Sequence, residues 1–319
     1  MGAVWDSRKW ASDFAEACAM HDGSGKTNRL RELRRAVFTD TVSRVKEGHY
    51  ISEHGLEVDI PLSNYTTTCS ELFSEPVNTG FERKWRTSVF VENCDCLESA
   101  RAWQALGYDT AVLNMASRQH PGGGVLNGAG AQEENLFRRT ELFRSLYLYD
   151  SIGERFGVDN VTQYYPLDRN YGGIYTPEAV VFRGLESDGY PLLDRPFITA
   201  FISVPGMNRP RLDENGMIVA QLVEGVKNKM RTIFNMGALH GHDCLILGAL
   251  GCGAFRNPPE HIARLFREVI DEEFPGVFKV IVFAIIDDHN TGKAYNKRGN
   301  YLPFLEAFRG FEESGNRRD

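Results

Sequence analysis

Thr110-Ala-Val-Leu113-Asn114-Met-Ala-Ser-Arg-Gln-His-Pro-Gly122-Gly123-Gly124-Val125-Leu-Asn-Gly-Ala-Gly-Ala-Gln132-Glu133-Glu134 runs from an apolar strand through a glycine-rich loop into a helix. Thr110–Leu113 reads as the strand, and helical spacing extends from Gln132 to Tyr147. Three consecutive glycines permit backbone angles barred to other residues and let a ligand approach the main chain closely. The loop is not a Walker loop, because the Gly-Lys-Ser/Thr ending is absent, nor is it Gly-x-Gly-x-x-Gly after a first strand. On glycines alone, a surface turn is the plainer reading. The acidic pair shifts the balance. Glu133 and Glu134 lie where the helix dipole favours negative charge, and adjacent helical residues point about 100° apart. One carboxylate can therefore face a ligand held by the glycine loop while its neighbour orients the substrate or the first carboxylate. A buried carboxylate beside a sugar can be kept protonated and serve as a general acid.

Outward from this stretch, Ser88–Val91, Ala179–Phe182, Phe197–Val204, Cys244–Leu247 and Phe278–Ile286 read as further strands. The last is a nearly continuous apolar run, as expected of a strand covered on both faces. Helical patterns fall at Leu97–Leu106, Asn215–Leu239, Pro259–Asp271 and Tyr301–Phe311. This alternation predicts a three-layer α/β/α sandwich with a mostly parallel central sheet. Ligands of such sheets bind outside the carboxyl ends of the strands, which selects the loops after Leu113, Val204, Leu247 and Ile286. Residues 1–85 differ in texture. Lys9–Ala19 and Asn28–Lys46 have helical spacing, and a polar Thr/Ser-rich stretch, Ser63–Pro76, follows. The expected division is a helical accessory region over 1–85 and an α/β domain over 86–319.

Composition is that of an ordinary globular protein: 319 residues, 42% hydrophobic and 25% charged. A net charge of −7 argues against broad, sequence-independent nucleic-acid binding, and no direct sequence-specific binding is expected. No run of 18 apolar residues offers a membrane span. The first residues read neither as a signal peptide nor as a myristoylation motif, since Asp6 stands where Ser or Thr is wanted. Six cysteines spread over the chain do not form a disulfide framework. Cys94 and Cys96 form a lone C-x-C, and His240 and His242 a lone H-x-H, without partner pairs at metal-site spacing. The expectation is a soluble intracellular protein, cytoplasmic or nuclear, with no metal and no cofactor.

The loop after the Cys244 strand, Gly248-Ala-Leu-Gly251-Cys252-Gly253-Ala254-Phe255-Arg256-Asn-Pro258-Pro259, leads into a helix near Pro258. Strand, glycine loop and helix N-terminus make an anion cradle or, equally, a tight turn. Phe255 can pack on a ribose or adenine face or be core, and Arg256 can reach a phosphate or be an ordinary surface arginine. Val204-Pro-Gly-Met-Asn-Arg-Pro210 and Asp287-Asp-His289-Asn-Thr-Gly292 complete the rim.

The order from Asn114 to Glu134 resembles that of the poly(ADP-ribose) glycohydrolases: three glycines, a short spacer, then Gln-Glu-Glu. The spacer here is the seven residues Val125–Ala131. Leu113-Asn-Met-Ala-Ser with His120-Pro-Gly-Gly-Gly is similar to the microbial branch of that family. So are the Gly248–Pro259 loop, the Asp287–Lys293 loop, and an N-terminal helix from Arg34-Arg-Ala-Val-Phe-Thr-Asp-Thr to Glu47-Gly-His-Tyr. The resemblance implies a macrodomain fold with an N-terminal helical extension, acting on ADP-ribose or poly(ADP-ribose) carried by modified proteins. It implies Glu134 as catalytic acid, Glu133 as holder of a ribose hydroxyl, and Gln132 as support for the loop. Gly122–Gly124, with Val125, would shape the ribose pocket, Asn114 would contact ribose, and Gly251, Cys252, Gly253, Ala254 and Phe255 would wrap the diphosphate and terminal ribose. The chain departs from the family at Val125, where many relatives have Phe, and in the Asn-Leu-Phe-Arg-Arg-Thr-Glu-Leu-Phe run after Glu134. Arg138, Arg139 and Glu141 are therefore expected to bear on what docks at the pocket mouth. The implied reaction is hydrolysis of the ribose–ribose bond. A mono-ADP-ribosyl hydrolase and a non-catalytic ADP-ribose reader are the alternatives.

Overall fold

The computed structural model describes residues 5–77, 80–287 and 295–311. The first half of the chain carries α1 (Ser7–Ala19), α2 (Ser24–Glu47), β1 (His49–Ile51), β2 (Glu57–Asp59), α3 (Tyr65–Thr68), β3 (Glu71–Phe73), β4 (Ser88–Glu92), α4 (Cys96–Ala105), β5 (Thr110–Met115), α5 (Gln132–Arg139) and α6 (Phe143–Leu146). The second half carries β6 (Gly173–Arg183), β7 (Leu192–Val204), α7 (Ala220–Leu239), β8 (Cys244–Leu247), α8 (Pro259–Glu272), β9 (Val280–Ala284) and α9 (Tyr301–Ala307). β1 and β2 form an antiparallel pair, and the seven-stranded sheet has the order β3-β6-β7-β5-β8-β9-β4. β5 pairs in parallel with β7 and β8, and β9 in parallel with β8 and β4, whereas β3 is antiparallel to β6. The fold is the expected mixed α/β one with N-terminal helices. Among the described residues, no helix is long and apolar enough to cross a membrane.

Two compact units emerge from the chain path. The first comprises Met1–Ser70, Gln119–Pro166 and Thr176–Thr199. The α1 helix is capped by Asp6, whose carboxylate accepts the Lys9 N–H at 2.9 Å, and α2 stops at Gly48, at φ +78°. Trp10, Ala17, Leu33 and Val37 bury their side chains around Tyr190. Trp10 meets the Tyr190 ring edge-on at 5.1 Å and donates its indole N–H to the Leu33 carbonyl at 3.0 Å, so the buried indole is satisfied as well as packed.

The second unit comprises Glu71–Arg118, Leu167–Tyr175 and Ala200–Asp319. Side chains alternate across its strands. Ala111 and Leu113, Ile202 and Val204, Leu245 and Leu247, and Ile281 and Phe283 join one apolar cluster with Ile233 and Phe234 of α7, Phe266 of α8 and Phe304 of α9. Val112, Phe201, Ile246 and Val282 point the other way and are equally buried. The α4 helix lies against β5 and β8, and its buried Leu97 and Ala100 are outside that cluster. Covering both faces is what makes these strands read as unbroken apolar runs.

Several elements differ from the sequence reading. The helix expected over Gln132–Tyr147 breaks after Arg139, because Thr140 turns extended, forms a bridge with Val181 and donates its hydroxyl back to the Leu136 carbonyl. The Asn215 helix starts at Ala220 instead, since Asp213 collects the Asn215 and Met217 N–H groups into a turn first. The Ala179 strand begins six residues earlier, at Gly173. Gly173 and Pro177 masked its start.

Candidate active site

Helix α5 begins without a side-chain cap from Ala131. Its first-turn acids instead reach back to the glycine loop. Glu133 Oε1 accepts the Gly122 N–H at 3.1 Å, and Glu134 Oε1 accepts the Gly124 N–H at 2.8 Å. Both residues are nearly closed to solvent, at 3% and 7% exposure, and Oε2 of Glu134 is buried without a hydrogen-bond partner among the described residues. The glycines are dictated by this closeness. Gly122 and Gly123 sit at φ +74° and +55°. A Cβ on Gly122 would lie 2.4 Å from the Phe137 ring, and one on Gly123 would lie 2.6 Å from Glu134 Oε1. Gly124 would meet the Ala129 Cβ at 2.8 Å. Val125 is buried at the start of a 3-10 turn, and Gln132 is half-buried. The two carboxylates thus hold separate rungs of one backbone loop.

Arg138, Arg139 and Glu141 are not at a pocket mouth: their exposures are 0%, 1% and 0%. Arg138 donates from Nη1 to the Ala129 carbonyl at 2.8 Å and from Nε to the Tyr190 hydroxyl at 2.7 Å. Arg139 donates to the Arg183 carbonyl at 3.2 Å. Burial pushes the Glu141 carboxyl up, against bonds from Arg144 at 2.6 Å and Thr66 at 3.2 Å. Expectation failed here because each of these charges has a partner far away in sequence: Tyr190, Arg183 and Thr66. Arg183 is also fully buried, beside Asp40 of α2, and burial pushes its guanidinium down to about 10, so it stays charged at neutral pH. Behind Glu133, the hydroxyls of Tyr147 and Tyr165 are buried without hydrogen-bond partners among the described residues. Burial first, then the Glu133 charge, raises both phenols and keeps them protonated.

The remaining expected residues belong to the second unit. Asn114, at the end of β5, is fully buried opposite Ser203 and donates from Nδ2 to its hydroxyl at 3.1 Å, while its Oδ1 has no partner among the described residues. Gly251 stands at φ +73°, where a Cβ would be 2.5 Å from Asn257 Nδ2. That amide donates to the Met207 carbonyl at 2.7 Å and the Gly251 carbonyl at 3.0 Å, and the Arg209 N–H donates to the Phe255 carbonyl at 2.8 Å. The loops after β7 and β8 are thereby tied together. A Cβ on Gly253 would meet nothing within 4 Å. Cys252 is fully buried and its thiol is pushed well above the ordinary range by burial. Ala254 is exposed and Phe255 half-buried. Arg256 is exposed at φ +58°, with its guanidinium 5.9 Å from the Tyr295 ring centroid. Asp287 donates its N–H to Asn93 Oδ1 at 2.9 Å; the rest of that loop, including His289, lies outside the described residues.

The paired cysteines and histidines have ordinary partners. Cys94 contacts Glu92 at 3.4 Å. His242 bonds Asp109 at 2.9 Å and the Tyr175 hydroxyl at 2.7 Å, and His240 stacks on the Tyr175 ring at 3.5 Å.

Both the sequence around this loop and the fold have counterparts among known proteins. Residues 39–184, which include the whole Gly122–Glu134 loop, match the family model for the microbial-type PARG, catalytic domain. Over that stretch the chain is similar to the microbial-type PARG catalytic domain. A poly(ADP-ribose) glycohydrolase from Thermomonospora curvata, bound to the inhibitor ADP-HPD, is 28% identical with a TM-score of 0.67, the match covering 86% of this chain and 99% of that one. A PARG from Deinococcus radiodurans in complex with ADP-ribose is 26% identical with a TM-score of 0.58, covering 79% of this chain and 99% of that one. A comparison with curated proteins gives no match. The PARG family match begins inside α2 and ends just beyond β6, so it takes in both the glutamate pair and the helix against which their loop rests.

Proposed function

We propose that the protein is a poly(ADP-ribose) glycohydrolase that hydrolyses the ribose–ribose O-glycosidic bond of ADP-ribose polymers and releases ADP-ribose, with Glu134 as acid and base. The observation that carries this reading is the Glu134 carboxylate: one oxygen is fixed by the Gly124 amide, and the other is buried without a partner among the described residues. The fixed oxygen sets the orientation, and the other is available to a substrate proton. The match of residues 39–184 to the PARG catalytic-domain model supports the substrate class.

Many glycosidases place two carboxylates on opposite sides of the scissile bond. Glu133 and Glu134 are neighbours on one helix turn, so a single carboxylate serves both half-steps. Glu134 protonates the departing 2′-oxygen as the anomeric C–O bond breaks and an oxocarbenium-like ribose develops. The resulting carboxylate then takes a proton from the attacking water, and the new C–O bond completes hydrolysis. Glu133 orients a ribose hydroxyl, Gln132 supports the loop, and Gly122–Gly124 with Val125 shape the ribose pocket. Asn114 contacts ribose, and Gly251–Phe255 bind the diphosphate and terminal ribose through the main chain. ADP-ribosylated proteins are the partners this reading requires.

The test is ADP-ribose release from poly(ADP-ribosyl)ated protein, beside a mono-ADP-ribosylated control, for wild type and Glu134→Gln. Release from polymer that collapses in the variant, with ADP-ribose binding retained, is the expected result. Cleavage of the control alone assigns a mono-ADP-ribosyl hydrolase, and binding without cleavage of either assigns a reader.

A further inference from the structure

The Gly122–Glu134 loop is held from behind by α2. A Cβ on Gly128 would lie 2.1 Å from the Arg31 carbonyl oxygen, and one on Gly130 would lie 2.4 Å from the Arg34 guanidinium. These glycines are slots into which α2 fits. From α2, Arg34 donates two hydrogen bonds to Glu186, at 2.7 and 3.1 Å. This bidentate geometry gives direction as well as strength. Glu186 also accepts the Tyr190 hydroxyl. Burial works against the Glu186 carboxylate, yet the Arg34 bonds hold it below the usual range.

The relay continues to the acid. The Tyr190 oxygen accepts from Arg138 Nε, and Arg138 Nη1 donates to the Ala129 carbonyl. The Ala129 N–H donates to the Gly124 carbonyl at 3.1 Å, and the Gly124 N–H donates to Glu134 Oε1. Arg138 and Tyr190 are fully buried, and Arg34 and Glu186 keep only 19% and 23% of their side chains exposed. Every link from Arg34 as far as Ala129 joins groups that touch no substrate in the proposed reaction.

We propose that Arg34 and Tyr190 are positioning residues for Glu134, so that the N-terminal α2 helix sets the geometry of the glutamate loop. The inference rests on Glu134 acting as the acid and base described above. A misplacement of about 1 Å can lower a catalysed rate by up to about a hundredfold, so a loosened brace acts on turnover more than on binding.

The experiment uses the whole 319-residue chain and the variants Arg34→Met, Arg34→Lys and Tyr190→Phe, with Trp10→Leu as a control that loosens the packing around Tyr190 but removes none of the relay's hydrogen-bonding groups. Four quantities are measured: kcat and KM for ADP-ribose release, thermal midpoint, and hydrogen exchange in the segment 122–134. In Arg34→Met and Tyr190→Phe, kcat falls about tenfold or more with KM within about twofold, and the 122–134 amides exchange faster. Arg34→Lys keeps one donor and recovers part of the rate. The Trp10→Leu control loses thermal midpoint with a smaller loss of kcat. Unchanged exchange and unchanged kcat in Arg34→Met and Tyr190→Phe overturn the proposal. So does a loss of kcat that simply follows thermal midpoint across all four variants. A wild type that releases no ADP-ribose counts against the Glu134 chemistry, and the exchange data still decide the brace.

Discussion

Two glycine loops sit at the carboxyl ends of parallel strands, one after β5 and one after β8, and they need glycine for different reasons. In the triplet Gly122–Gly124 the protein fills the space itself. Phe137, Glu134 and Ala129 each stand within 3 Å of where a Cβ would go. In the Gly251–Gly253 loop, Gly251 is confined by Asn257, but beside Gly253 there is open space. The first loop is a packed wall that presents carboxylates. The second is bare main chain, which suits an anion bound by N–H groups. A shared composition thus conceals two designs, internal packing in one and external access in the other.

Substitutions can break or sharpen that contrast. The largest effect belongs to Glu134→Gln, which keeps shape and removes the proposed acid. The kcat for ADP-ribose release falls by roughly 10²–10⁴, the span of general acid–base catalysis, while ADP-ribose affinity measured by calorimetry holds. Gly123→Ala comes next. It forces a side chain into the left-handed region and against Glu134, lowering stability by about 1–3 kcal/mol in denaturant titration and lowering kcat with it. Gly253→Ala follows, and here the loops part. Its thermal midpoint stays at the wild-type value, because the methyl group meets nothing, and ADP-ribose binding weakens about tenfold, or about 1.4 kcal/mol. A Gly253→Ala protein that loses stability but not affinity would erase the distinction. The smallest effect is chemical. Cys252, buried and pushed up, stays unmodified by iodoacetamide at pH 8 in the folded protein while the exposed Cys18 and Cys69 are alkylated, as mass spectrometry of peptides will show.

Much of the sheet was legible because burial on both faces writes itself as apolar runs. β8 falls on Cys244–Leu247 as read, and β4 and β5 extend beyond their runs by one or two residues. The first half of β6 was not legible, because Gly173 and Pro177 look like loop residues until a partner strand is known. The break at Thr140 was likewise invisible, being caused by a bridge to Val181. At the site, the glycine triplet and the acidic pair could be read together because both lie on one short stretch. The brace could not. Arg34 and Glu186 are 152 residues apart and Arg138 and Tyr190 are 52 apart, and no local pattern marks a buried arginine as a structural part. A run such as Phe137-Arg-Arg-Thr-Glu141 looks like surface until its partners are placed.

The strand order has one consequence for how the protein comes into being. β4 is at the edge of the sheet and its neighbour is β9. On a ribosome adding about 5–20 residues per second, β9 follows about 190 residues later, a delay of roughly 10–40 s. For that interval the new chain carries an apolar strand, Ser88-Val-Phe-Val-Glu92, with no mate. The nascent protein thus stays open to wrong partners, and to chaperones, until long after its glutamate loop has left the exit tunnel.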